Sequence, residues 1–239
     1  MSSALKLDNV YYKYNKDLVL KNINLEIKKS SFFVLLGLNG AGKSTIFALI
    51  TRLLSLQEGS ISINGFNLKD YQKALKNIGI VFQEPTLDLD LTVKQNLYYY
   101  GSMQGLSFKQ TMNSIQSELD KLELREKLDV TVRDLNGGHR RRVEILRALI
   151  NDPKLLLLDE ATVGLDVKAR FDILNYIRDI IKERNISVLW ITHLFDEVEA
   201  NDDIAIIKNG RIIENGVMNE IMTKYEKDSL PELFKDLTK

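Results

Sequence analysis

The chain has 239 residues, 44 % of them hydrophobic, with 33 basic and 33 acidic side chains and a formal net charge of zero. It is long enough to bury a sizeable core, and its charge balance argues against a broad unspecific nucleic-acid surface, so no nucleic-acid partner is expected. The absence of cysteine excludes disulfide and thiolate chemistry.

In chain order, residues 5–28 read as strands, with alternation in 23-INLEI-27 and β-formers clustered in 10-VYYKY-14. The start, MSSALKLDNV, shows neither an apolar run nor a cleavage pattern, so no signal peptide is expected. The unbroken run 32-FFVLL-36 suits a central strand buried on both faces. Behind it, Ile46, Leu49, Ile50, Leu53 and Leu54 recur at helical spacing, and the turn-rich 58-EGSISINGFNL-68 predicts a hairpin. Residues 84–150 carry mostly helical spacing, as in Ile115, Leu119 and Leu122, and the segment after 135-LNGGH-139 predicts a helix over roughly 139–150.

Strands then return at 155-LLLLD-159 and 187-SVLWIT-192. Helices are expected over roughly 167–183 and 194–200, and a hairpin over 204–216 turning at 209-NG-210. No stretch reaches the roughly 18 apolar residues of a membrane span. Alternating strands and helices imply a parallel sheet covered on both faces. The expected fold is α/β: a P-loop NTPase core with a parallel sheet, an N-terminal antiparallel β subdomain and an inserted helical subdomain. Residues 1–239 read as one domain, with 84–150 as the helical part and 1–83 plus 151–239 as the rest.

Chemistry concentrates in few places. 37-GLNGAGKS-44 satisfies the phosphate-loop pattern, between a buried strand and a helix. Its glycines let backbone N–H groups turn toward phosphate oxygens, and the helix N-terminus adds partial positive charge. Gly37, Asn39, Gly40, Ala41, Gly42, Lys43, Ser44 and Thr45 form the expected ATP-binding set. Lys43 reaches the terminal phosphates and Ser44 ligates Mg²⁺. Strand 155–159 ends in two acids: Asp159 is placed to hold Mg²⁺ and Glu160 to polarise an attacking water.

These motifs, in this order, resemble the ATP-binding subunit of an ABC transporter along almost the whole chain. The resemblance implies further roles. Gln83, in 80-IVFQEP-85, is similar to the glutamine that joins Mg²⁺ to the transport subunit, and His193 to the switch histidine that senses γ-phosphate. Tyr14 is similar to the aromatic that stacks on adenine; only spacing to Gly37 separates it from Tyr11 and Tyr12. The stretch 135-LNGGH-139 resembles the family signature LSGGQ, with Asn for Ser and His for Gln. Asn136, Gly137 and Gly138 would then meet the γ-phosphate held by a second subunit, the Asn136 amide donating where serine offers a hydroxyl.

Arg140, Arg141 and Arg142 oppose the dipole of the helix they open, which local acids such as Glu144 would offset; no catalytic role is assigned to them. Ala161 replaces the usual proline after Glu160. Segments 91–106 and 229–237 resemble the exporter branch, and Tyr98–Tyr100 divide between contact and core roles. The implied partners are a second ATPase subunit, as a homodimer, and integral membrane subunits that hold the chain at the cytoplasmic face of the membrane. The alternative reading is a non-transport ABC ATPase driving a soluble assembly.

Overall fold

The computed structural model describes residues 3–238. In chain order the elements are β1 (Ser3–Tyr14), β2 (Asp17–Lys28), β3 (Phe32–Leu36), α1 (Lys43–Ile50), β4 (Glu58–Ile63), β5 (Phe66–Asn67), α2 (Tyr71–Ala74) and β6 (Ile78–Val81). The helices α3 (Val93–Met103), α4 (Phe108–Ser114), α5 (Gln116–Lys121) and α6 (Gly137–Ala148) follow. The chain continues through β7 (Leu155–Asp159), α7 (Val167–Arg184), β8 (Ser187–Thr192), β9 (Asp203–Lys208), β10 (Arg211–Val217), α8 (Met218–Lys224) and α9 (Leu230–Thr238).

The strands form two sheets. One is antiparallel, in the order β2-β1-β4-β5; the other runs β10-β9-β3-β8-β7-β6, parallel except for the edge strand β10. The second sheet divides the core. Phe32, Val34, Leu36, Leu156, Leu158, Val188 and Trp190 face the helices of region 93–181, while Phe33, Leu35, Leu155, Leu157, Leu189 and Ile191 face α1 and the antiparallel sheet. This explains the unbroken apolar runs: every position of β3, β7 and β8 is buried against one layer or the other. Each Val, Leu, Ile or Phe among them contributes roughly 1.5–3 kcal/mol of burial.

Helix starts follow local chemistry. Thr92 and Gln95 form a capping box at α3, Asp166 accepts the Ala169 N–H at 2.9 Å to start α7, and Asn136 caps α6. Three expectations need correction. The helix after the phosphate loop stops at Ile50, because Arg52 takes a left-handed φ of 60° and turns the chain away, leaving Leu53 exposed. The helix expected over 139–150 begins at Gly137, because Asn136 supplies the cap. No helix occupies 194–200; a 3₁₀ turn, Phe195–Glu197, stands there, and Val198 is already extended. The buried Glu197 carboxylate, bonded back to Thr192 and Trp190 on β8, holds that turn.

A candidate nucleotide site at the carboxyl ends of the strands

β3 delivers the chain into the loop 37–42, and α1 begins at Lys43. Gly42 has φ 114°, and a Cβ there would stand 2.8 Å from Leu20 Cδ2, so only glycine fits beneath β2. Lys43 is buried and donates to the backbone oxygens of Gly37 at 2.8 Å and Leu38 at 3.2 Å. Burial lowers its pKa, opposed by the nearby Glu160 and Asp159 charges. A cavity of about 320 Å³ opens at this loop, lined by Asn39, Gly40, Gly42, Lys43, Ser44, Thr45, Val19, Gln83 and Glu160.

Glu160 joins the pieces. It is only 7 % exposed and sits just past β7 in a left-handed backbone conformation, φ 47°. For a residue with a side chain that is a costly conformation, of the kind held at functional sites by its surroundings. Its backbone N–H donates to Ile191 O at 2.9 Å. Its Oε2 accepts the Gln83 amide at 2.9 Å; its Oε1 lies 3.0 Å from His193 Nδ1 and 3.6 Å from Lys43 Nζ. The fold therefore brings Lys43, Gln83 and His193 onto the Glu160 carboxylate.

Asp159, at the end of β7, is 5 % exposed, and its Oδ1 has no hydrogen-bond partner. Burial, then the Glu160 charge, pushes its pKa up to about 6 against the pull of Lys43. An orphaned buried carboxylate oxygen beside Glu160 and the phosphate-loop lysine is an oxygen donor that fits a hard divalent cation. Among the described residues no three His, Asp or Glu side chains cluster to hold a metal. A Mg²⁺ ion here would take its remaining ligands from the nucleotide and water, as Mg²⁺ commonly does.

Other expected residues lie apart. Tyr14 ends β1, is 44 % exposed and packs edge-on against Tyr12 at 5.0 Å, outside the cavity lining. Val19, which the sequence did not single out, lines the cavity because the β1–β2 hairpin lies over the loop; no local signal marks it.

Asn136, Gly137 and Gly138 are not in the lining; Gly137 and Gly138 open α6 beside Leu165 and Ala169. Asn136 acts first as an acceptor: its Oδ1 takes the His139 backbone N–H at 2.8 Å and lies 2.9 Å from His139 Nδ1. Its Nδ2 has no partner among the described residues.

The three arginines are structural. Arg141 donates to Phe82 O at 2.7 Å and Gln83 O at 3.0 Å while paired with Glu144, which also accepts the Thr86 N–H at 2.8 Å. Arg140 reaches Val132 O and Arg133 O, and Arg142 joins Leu122 O, Glu123 and Asp172. The expected dipole penalty is thus met by carbonyl and carboxylate partners, and Arg141 ties α6 to the segment carrying Gln83.

Comparison with known proteins sets this geometry in context. The family model described as "ABC transporter" matches residues 20–163. The chain is 34 % identical to the linearmycin resistance ATP-binding protein LnrL of Bacillus subtilis, over 96 % of this chain and 74 % of that protein. It is 37 % identical to the Nod factor export ATP-binding protein I of Neorhizobium galegae, over 89 % of this chain and 62 % of that one. It is 35 % identical to the methionine import ATP-binding protein MetN of Helicobacter acinonychis, over 91 % and 69 %.

Among solved structures, an ATP binding subunit of an ABC transporter superposes with TM-score 0.88 at 28 % identity, covering 99 % of this chain and 100 % of that one. The cbiO1 protein of Clostridium perfringens, described as part of the complex cbiONQ, gives TM-score 0.85 at 29 % identity, covering 95 % and 93 %.

Proposed function

The chain belongs to the ABC transporter family, and we propose that it is the ATP-hydrolysing subunit of an exporter, working as a head-to-tail pair. The fold is that of the family's ATPase domain, and the chain is an ATP-binding ATPase coupled to transport. The observation that carries the residue assignment is the convergence of Lys43, Gln83 and His193 on the Glu160 carboxylate. Glu160 accepts the proton of the attacking water, His193 and Lys43 bind the γ-phosphate, and the loop 37–45 cradles the remaining phosphates. Asp159, Ser44 and Gln83 would hold Mg²⁺, which would supply positive charge against the phosphates of the nucleotide. Tyr14 supplies a stacking face for adenine.

The pairing rests on α6. A Cβ at Gly137 would meet only Leu165 Cδ2, at 3.6 Å, so nothing within the chain requires glycine there. Asn136, Gly137 and Gly138 face a second copy and approach the nucleotide on its phosphate loop. Support for export comes from segments 91–106 and 229–237 and from the linearmycin resistance and Nod factor export relatives. The transport subunits dock on region 84–150 near Gln83, and through them the chain sits on the inner face of the membrane. No helix among the described residues is long and apolar enough to cross a membrane.

Affinity purification of the chain from solubilised membranes tests this reading. Recovery of a polytopic membrane protein, with ATP turnover that depends on Glu160, is expected. Recovery with soluble proteins alone would favour an ATPase of a soluble assembly.

A further inference from the structure

Glu197 is 2 % exposed and ends the 3₁₀ turn that follows β8. Its carboxylate takes three side-chain donors. The Thr162 hydroxyl donates to Oε1, and Oε2 accepts the Trp190 indole N–H at 2.9 Å and the Thr192 hydroxyl at 2.5 Å. The donors bracket the chemistry: Thr162 stands two residues after Glu160, and Thr192 immediately before His193. Thr192 Oγ1 also accepts the Leu194 N–H at 3.0 Å, so the chain is tied on both sides of His193. From α7, Arg178 donates to Glu197 O at 3.2 Å and pairs with Asp202 at 2.7 Å, holding the turn against the helix.

Hydrogen bonds to a buried carboxylate are charge-assisted, and such an acceptor is costly to bury unless its donors stay in place. The backbone ladder pairs Asp159 with Ile191 and bonds the Glu160 N–H to Ile191 O at 2.9 Å; beyond it, the Glu197 side chain ties Thr162 in the turn after β7 to Thr192 at the end of β8. This cross-link braces the 3.0 Å approach of His193 to Glu160.

We propose that Glu197 is a positioning residue that holds Glu160 and His193 in register, and that Trp190 carries a signal of that register in its N–H bond to Glu197. The inference rests on the reading of Glu160 as base and His193 as phosphate sensor. Glu197 touches no substrate; it acts through Thr162 and Thr192. Trp190 is the single tryptophan of the chain, so fluorescence excited beyond the absorption of tyrosine reads Trp190 alone.

The experiment uses the full chain. Glu197→Ala is expected to lower kcat roughly 10- to 100-fold, the scale of a small misplacement of reacting groups, while ATP affinity stays within about threefold. Glu197→Gln is expected to restore most of the rate, since its amide oxygen accepts from Trp190 and its NH₂ donates to Thr162. Mg-ATP should shift Trp190 emission in the parent and in Glu197→Gln, and leave it unmoved in Glu197→Ala. Thr162→Val removes one donor at nearly constant volume, Thr192→Val removes one donor together with the acceptor of the Leu194 N–H, and the two decide the matter if Glu197→Ala does not fold; loss of kcat with an unchanged melting temperature supports the proposal.

Parental kcat in Glu197→Ala, or in both valine variants, overturns it while leaving the role of Glu160 intact. Parental kcat in Glu160→Gln overturns that role, and this inference with it.

Discussion

Gly42 precedes α1 with φ 114° and has Leu20 Cδ2 2.8 Å from the position a Cβ would take, whereas Gly137 opens α6 with ordinary backbone and open space out to Leu165 at 3.6 Å. The first glycine is demanded from within: the loop must pass beneath β2 and still present its N–H groups outward. The second answers to no close contact or positive φ in its own chain. The same contrast separates the polar groups. Lys43, Gln83, Glu160 and His193 satisfy one another, while Asn136 uses its oxygen as a helix cap and keeps its Nδ2 free of partners among the described residues. One region closes on itself apart from Asp159 Oδ1, and the other leaves Asn136 Nδ2 without a partner among the described residues.

The strongest way to break this comparison is at Glu160. Glu160→Gln keeps the shape, turns one acceptor oxygen into a donor and cannot take a proton. Phosphate release should fall roughly 10²–10⁴-fold. ATP binding should persist, and an ATP-bound dimer should appear on size-exclusion chromatography. Near-parental turnover would place the base elsewhere.

Asn136→Asp probes the other region and is sharpened by the structure. Aspartate caps a helix as well as asparagine does, so α6 should keep its stability. A carboxylate facing γ-phosphate oxygens across a poorly hydrated interface should still cut turnover on the order of 10²–10³-fold. Asn136→Ser, which keeps both cap and donor, should retain most activity. Steady-state phosphate release by the assembled complex, paired with thermal melts, separates the two effects. If Asn136→Asp turns over like the parent, α6 does not meet the nucleotide.

Tyr14→Ala should weaken ATP binding by about 1–3 kcal/mol, the scale of base–aromatic stacking. Tyr11→Ala should cost less, because Tyr11 sits within the sheet, paired across to Glu58. Isothermal titration with ATP ranks the two, and the reverse order would move the stacking face to Tyr11.

The smallest effect concerns Asp159. Its buried, partnerless Oδ1 penalises the nucleotide-free chain, so Asp159→Asn should raise apo stability by on the order of 1 kcal/mol while impairing Mg-ATP turnover. A lowered denaturation midpoint would show that Lys43 satisfies Asp159 after all.

Residues with local signatures were legible without coordinates. The runs 32–36, 155–159 and 187–192 announced strands buried on both faces, because no alternation is needed where both sides are covered. The phosphate loop announced itself through glycine spacing between strand and helix, and 209-NG-210 through the positive φ of both residues. The 3₁₀ turn at 195–197 was missed because its cause is a side chain bonded back to β8, which the apolar spacing of 194–200 does not reveal.

The contacts across the sheet follow from the folded arrangement of the strands. Gln83 and Glu160 meet across 77 residues, and His193 and Glu160 across 33, because β6, β7 and β8 lie side by side in parallel. Val19 reaches the cavity through the β1–β2 hairpin, and Arg141 reaches Gln83 O across 58 residues. The physical reason is one of range. Periodicity, caps and turn residues express backbone preferences within a few positions, so composition and pattern determine the elements and the loop chemistry. Strand order and side-chain closure depend on burying both faces of one sheet at once, a condition that only the whole folded chain satisfies.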